Sequence, residues 1–205
     1  MVDELITLKE YDDFIKITEN KRNFYGGNQS WFKDEKNRKA GCGAVAVANI
    51  TAYISKNTCG HKLYKYSDFS KPSFINHMEN VVEYVKPKEK VGILRVDEFI
   101  EDAIDFAKSR GVRVKGDYII FGRDYISICD FIKESLNEDI PVGFLMLRND
   151  KLKEFDYHWM TITKYYENDV STYIIVSTWG EKRIINLKDV YNFSSFGAFV
   201  KFTVN

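Results

Sequence analysis

Residues 41–54 read Gly-Cys-Gly-Ala-Val-Ala-Val-Ala-Asn-Ile-Thr-Ala-Tyr-Ile. Ala44, Val45, Ala46, Val47, Ala48, Ile50, Ala52 and Ile54 are apolar nearly all round a helical wheel. Such a helix is buried rather than amphipathic, and its alanines let neighbouring elements pack close. Cys42 stands between two glycines at the mouth of this helix. A helix N-terminus presents free N–H groups and a partial positive charge. That setting favours a thiolate and is expected to lower the Cys42 pKa. The bland alternative is a small residue opening a buried helix.

Working outward, the segment before it is turn-forming and aromatic: Tyr25-Gly26-Gly27-Asn28-Gln29-Ser30-Trp31-Phe32. Lys33 to Lys39 reads as a solvated charged loop. Residues 1–23 carry Leu5, Ile6, Leu8, Tyr11, Phe14 and Ile15 at roughly helical spacing, compatible with a short helix or an extended lead-in. After the central helix, residues 57–72 form a polar loop. Helices are expected over Ser73 to Tyr84 with Ser73 as cap, over Val96 to Ser109 with Gly111 at the C′ position, and over Ile126 to Leu136. Val112 to Phe121 is expected to be extended. Then the pattern turns to strands: Pro141 to Leu147, His158 to Tyr165, Thr172 to Thr178, Lys182 to Asn186 and Phe196 to Phe202. The fold class is α+β: a helical lobe over about 25–137 and an antiparallel sheet lobe over about 140–205, in one domain of 205 residues.

Composition narrows the function. Thirty basic and 30 acidic side chains give a formal net charge of zero, so the electrostatic footprint of a nucleic-acid binder is missing. No apolar run reaches the ~18 residues of a membrane span, and the acidic, alternating start lacks the features of a signal peptide. A cytoplasmic protein is the default, although a fragment cut from an exported precursor would read the same way. Three cysteines, Cys42, Cys59 and Cys129, are too few and too scattered for a disulfide framework. They suit a reducing compartment, or one reactive thiol with bystanders. Cys129 lies among Ile126, Ile128, Phe131 and Ile132 and reads as core. Cys59, His61 and His77 have a metal-like look, but zinc usually takes four ligands in recognisable spacing, so no metal and no cofactor is expected.

Three further residues carry chemistry beside Cys42. His158 opens an alternating strand, in line with Met160 and Ile162. Ser177 ends the next strand in Ser177-Thr178-Trp179-Gly180, a hairpin's distance away. Gln29 precedes Cys42 and can donate a side-chain amide to an oxyanion, with the Cys42 N–H as second donor. The bland readings are a structural histidine, a routine strand end and an ordinary loop glutamine. Their order is more telling than any one of them: amide donor, Cys at a helix start, helical stretch, His opening a strand, strand ending in Trp-Gly. This order resembles the papain-like cysteine peptidases. The Gln-Ser-Trp-Phe…Gly-Cys-Gly-Ala-Val-Ala-Val-Ala-Asn block looks like their bacterial branch, which includes the peptidases that cut double-glycine leaders.

The resemblance covers about 25–55 and 140–202. It implies a papain-like two-lobed fold, Cys42 as nucleophile, His158 as general base, Gln29 as oxyanion donor, and a family Asn-Ser-Trp-Gly element on Ser177 to Gly180. Two positions depart from the family. Gln29 stands farther from Cys42 than usual, so Lys33 to Lys39 is expected to loop out. Ser177 replaces the usual Asn or Asp at the third position, where Asn186 or Asp169 can substitute. The implied activity is amide hydrolysis on a peptide or protein substrate, with no nucleic-acid or membrane partner. The same dyad also serves transglutaminase, deamidase or acyltransferase chemistry, and Ser177 leaves room for an inactive peptide-binding relative. Oligomeric state is not readable.

Overall fold

A computed structural model describes residues 3–58, 60, 62–88, 92–122 and 124–205. In chain order its elements are β1 (Glu4–Thr7), β2 (Lys16–Glu19), β3 (Arg22–Tyr25), α1 (Glu35–Ala40), α2 (Cys42–Asn57), α3 (Lys71–Val82), α4 (Val96–Ser109), β4 (Val114–Ile120), α5 (Tyr125–Asn137), β5 (Val142–Met146), β6 (His158–Glu167), β7 (Thr172–Thr178), β8 (Glu181–Asn186), α6 (Leu187–Phe193) and β9 (Gly197–Val204), with 3₁₀ turns at Gln29–Trp31 and Lys153–Phe155. The main sheet runs β4-β9-β5-β6-β7-β8, with β1 added to the far end of β6. All its pairings are antiparallel.

The quoted stretch behaves as its composition dictates. Every residue of α2 from Cys42 to Ser55 is buried. Its small side chains let it lie close on the sheet: a Cβ added to Gly143 of β5 would stand 3.4 Å from Ile50. On the same face Trp159 stacks on Phe99 of α4 at 3.7 Å and donates its indole N–H to the Ile93 carbonyl at 2.7 Å. Those two contacts fasten α4 and the segment before it to the sheet.

Several expectations change. The Lys33–Lys39 stretch does not loop out. Glu35–Ala40 is helical, capped by the Asp34 carboxylate accepting from the Lys36 and Asn37 N–H groups, with a Glu35–Lys39 pair on its surface. The helix at 73–84 begins earlier, at Lys71, and its cap is Ser70 rather than Ser73. Of the two readings of the N-terminal segment the extended one holds: β1 joins the sheet and β2–β3 is a separate hairpin. Residues 114–120, expected inside the helical lobe, pair with β9 and belong to the sheet. The lobes are therefore interleaved along the chain. Cys59 and His61 lie outside the described residues.

The β3 end and the β7–β8 turn are stitched together by backbone bonds. Tyr25 N–H donates to the Gly180 carbonyl at 2.7 Å and Gly180 N–H to the Gly27 carbonyl at 3.0 Å. Between them Gly26 has φ +76°. A Cβ there would stand 2.2 Å from Ser177 Oγ and 2.9 Å from Asn49 Nδ2. Gly26→Ala therefore combines a left-handed backbone with a buried clash. It is expected to cost about 2–5 kcal/mol, read as a Tm drop on the order of 5–15 °C.

Candidate active site

Cys42 is the first residue of α2, whose cap, Gly41, offers no side-chain oxygen. The N–H groups of the first turn are thus left for other partners. His158 is the first residue of β6, at the sheet rim. Cys42, His158, Gln29, Ser177, Thr178, Trp179 and Asn49 line one small cavity. The fold therefore gathers residues separated by up to 150 positions at one place, where the mouth of the buried helix meets the rim of the sheet.

Among the described residues Thr178 is what holds the ring of His158, with Nε2 2.7 Å from Oγ1. Trp179 stacks on it at 4.7 Å, and Phe155 stacks on Trp179 at 5.5 Å. Burial holds the His158 pKa down at about 4. The imidazole is therefore neutral near pH 7 and has lone-pair capacity as a base.

Ser177 does not fill the third position. Its hydroxyl donates to the Tyr25 carbonyl at 2.7 Å and accepts from Asn49 Nδ2 at 3.3 Å. The cause is a β-bulge. From Lys164 to Glu167, β6 pairs with β7 in one register, and between Ile162 and Lys164 the register slips by one. After the slip Thr161 faces Ser177 and Ile162 faces Val176. Side chains alternate faces along a strand. The slip therefore turns Ser177 toward α2 and places Thr178 on the face of His158. Without the bulge the two residues would exchange faces. Asn186 and Asp169, the other candidates, are engaged elsewhere: Asn186 caps α6 by accepting from the Lys188 and Asp189 N–H groups, and Asp169 sits in the β6–β7 turn.

The two residues are expected to separate on mutation. Thr178→Val removes the hydroxyl that holds the His158 ring and is expected to lower turnover by about tenfold, a single hydrogen bond's worth. Ser177→Ala leaves Asn49 and the Tyr25 carbonyl short of a buried partner. It is expected to cost about 1–3 kcal/mol of stability with little change in turnover. Turnover and urea melts on both variants check the pair.

Gln29 reaches the cavity, but its amide is committed. Nε2 donates to the Arg38 carbonyl at 2.9 Å and to the Lys39 carbonyl at 3.3 Å, in the last turn of α1. In this state it is not aimed at an oxyanion. Nor is the thiol activated as its helix position suggests. Burial pushes the Cys42 pKa up, against the opposing pull of the Trp159, Gly43 and Cys42 backbone N–H groups. Cys42 is 5% and His158 7% exposed, and the cavity between them measures about 10 Å³, room for at most one water. The Gly92 backbone adds to the cover: a Cβ there would lie 3.9 Å from the Cys42 sulfur. The cavity is shut.

Asn49 is the cavity-lining residue the sequence reading passed over. It lies two turns along α2 from Cys42, is 1% exposed, accepts from the Gly27 N–H at 2.9 Å and donates to Ser177. It ties the turn that carries Gln29 to the helix of Cys42 and the strand of Thr178. A polar residue inside an otherwise apolar helix was the available signal. His77, by contrast, is core: its ring lies 3.1 Å from Thr51 Oγ1 and 3.2 Å from the Ala48 carbonyl. Among the described residues no group of three or more His, Cys, Asp or Glu side chains could hold a metal. Also among them, no helix is long and apolar enough to cross a membrane.

No family model and no curated protein matches the chain. Among solved structures it is similar to UfSP from C. elegans, with a TM-score of 0.55 and 10% sequence identity, over 99% of this chain and 35% of that one. The chain thus spans about a third of the length of that protein. The likeness is one of architecture, and the α+β, papain-like fold is what the two chains share.

Proposed function

We propose that the protein is a papain-like cysteine hydrolase that cleaves amide bonds in a peptide or protein, with Cys42 as nucleophile and His158 as base. The observation that carries this reading is the convergence of Cys42, His158, Thr178 and Gln29 on one cavity at the start of a buried helix. The likeness of fold to UfSP is in keeping with this reading. The proposal includes a single two-lobed unit and the kinship of the Gln29–Cys42 block with the bacterial branch that cuts double-glycine leaders.

The chemistry follows from the groups in place. Neutral His158, oriented by Thr178, takes the proton of the Cys42 thiol as sulfur attacks the carbonyl carbon. The α2 N–H groups stabilise the oxyanion, joined by Gln29 once its amide leaves the α1 carbonyls. The protonated imidazole then gives its proton to the departing amine. Water, deprotonated by His158, releases the acyl group and restores the thiol.

A pool of fluorescence-quenched peptides tests the reading. Time-dependent cleavage by the wild type that is absent from Cys42→Ala is expected. Equal signals from the two proteins would overturn the proposal.

A further inference from the structure

The closed cavity raises the question of what opens it, and the contacts around Trp179 answer it. Trp179 and Gly180 are the two central residues of the β7–β8 turn, at φ +50° and +78°. That is the geometry of a two-residue hairpin in which Asn-Gly is the favoured pair. A tryptophan in this conformation is strained, and such strain persists only where neighbours impose it. Tyr157, directly before His158, is strained in the same way at φ +55°. The neighbours that hold Trp179 are visible. Its indole is stacked against His158 and Phe155, and its carbonyl accepts from Asn28 Nδ2 at 2.7 Å. Asn28 also accepts from the Ser30 N–H at 2.9 Å and so caps the 3₁₀ turn that carries Gln29. One side chain thus joins the aromatic cover over His158 to the turn of Gln29, whose amide is held by the α1 carbonyls.

We propose that Asn28 is a latch that keeps the site closed until a substrate main chain replaces its bond to Trp179. This deepens the hydrolase reading and rests on it. An extended peptide entering at the junction of α2 and the sheet brings a carbonyl for Asn28 Nδ2 and an N–H for the Trp179 carbonyl. Both latch groups are then satisfied by substrate. The Trp179 backbone is free to relax and lift its indole from His158. The turn at Gln29–Trp31 is free to move, and the Gln29 amide can leave the Arg38 and Lys39 carbonyls. The device selects for unfolded or extended main chain, because only that offers both groups. The backbone bonds of Tyr25 and Gly27 with Gly180 remain throughout, so the hairpin keeps its anchor.

Alkylation of the full chain by iodoacetamide, with site mapping by mass spectrometry, reads the latch directly. Asn28→Asp keeps the oxygen that caps Ser30, removes the donor, and sets a carboxylate against the Trp179 carbonyl. It is expected to speed labelling of Cys42 about tenfold over wild type, the equivalent of one buried hydrogen bond, with Cys129 labelling unchanged. Trp179→Asn relieves the strained turn and removes the cover, and is expected to act in the same direction. It decides the matter if Asn28→Asp labels Cys129 as well and is therefore unfolded. Cys42 labelling within about twofold of wild type, when a broken latch should give about tenfold, would overturn the latch. Peptide cleavage measured on the same proteins keeps the two claims apart. Faster labelling without any cleavage removes the hydrolase reading and leaves the latch, whereas cleavage with unchanged labelling removes the latch alone.

Discussion

His158→Ala is expected to lower peptide turnover by about 10²–10⁴-fold, the usual contribution of a positioned general base. The Cys42 pKa is pushed up by burial, so the thiol has little tendency to ionise unaided. The loss should therefore fall on kcat rather than on KM, because the ring touches the reacting proton and not the distal parts of a substrate. Stability should fall by about 1–3 kcal/mol, because the substitution leaves the buried Thr178 hydroxyl without its partner and the Trp179 ring without its stack. A folded, modestly destabilised and inactive variant is the expected pair of results. Undiminished turnover would assign the base to another residue.

Acid sensitivity should be pronounced between pH 6.5 and about 4. Burial lowers the pKa of His77 to about 3 and that of His158 to about 4, against about 6.5 in an unfolded chain. Below pH 6.5 the unfolded state takes up protons that the folded state refuses. Stability is therefore full above pH 6.5 and declines as pH falls toward the folded values. Each histidine contributes on the order of 1.4 kcal/mol per pH unit within that window. At pH 5 the two together are expected to remove roughly 4 kcal/mol relative to pH 7.5, a large share of a typical folding free energy. The His77 ring is packed edge-on against Tyr64, Phe74 and Phe106, so it has no room to recruit water. Urea melts at the two pH values measure the difference, and His77→Gln should roughly halve the slope. A stability independent of pH over this range would mean that both rings reach solvent.

The central helix, the helix over 96–109, the strand at 114–120 and the C-terminal strands were legible because their patterning is strong. An all-apolar run admits one environment, and strict alternation admits one face. What was not legible depended on long-range geometry. Residues 114–120 read correctly as extended, but no local feature says that they cross to the sheet and pair with β9. The helix at Glu35–Ala40 carried a readable signal in Asp34 as cap and Glu35 four residues before Lys39. Its charge concealed it, because a short helix with one buried residue, Ala40, shows no apolar stripe.

The candidate site divides along the same line. Cys42, His158 and Gln29 were singled out from residue type and order, and they line one cavity. The exchange of Thr178 for Ser177 turns on one bulged position, Thr163. Its hydroxyl accepts from Tyr25 Oη at 2.9 Å and donates to the Ile175 carbonyl at 3.3 Å. Period-two counting across a hairpin fails by one residue at a bulge, and one residue reverses the face. The sign of the Cys42 shift was also hidden. A helix N-terminus argues for a thiolate, but only the packing around the sulfur shows that burial outweighs it.

Attack of Cys42 on a carbonyl with the help of His158 is the central step of the proposed chemistry. Intact-mass spectrometry of the whole chain after exposure to peptides ending in a thiol-reactive vinyl ester tests this most directly. One adduct per chain, mapped to Cys42, formed by wild type and strongly slowed in His158→Ala, is the predicted result. An adduct on Cys129, or labelling of Cys42 at the same rate with and without His158, would contradict it.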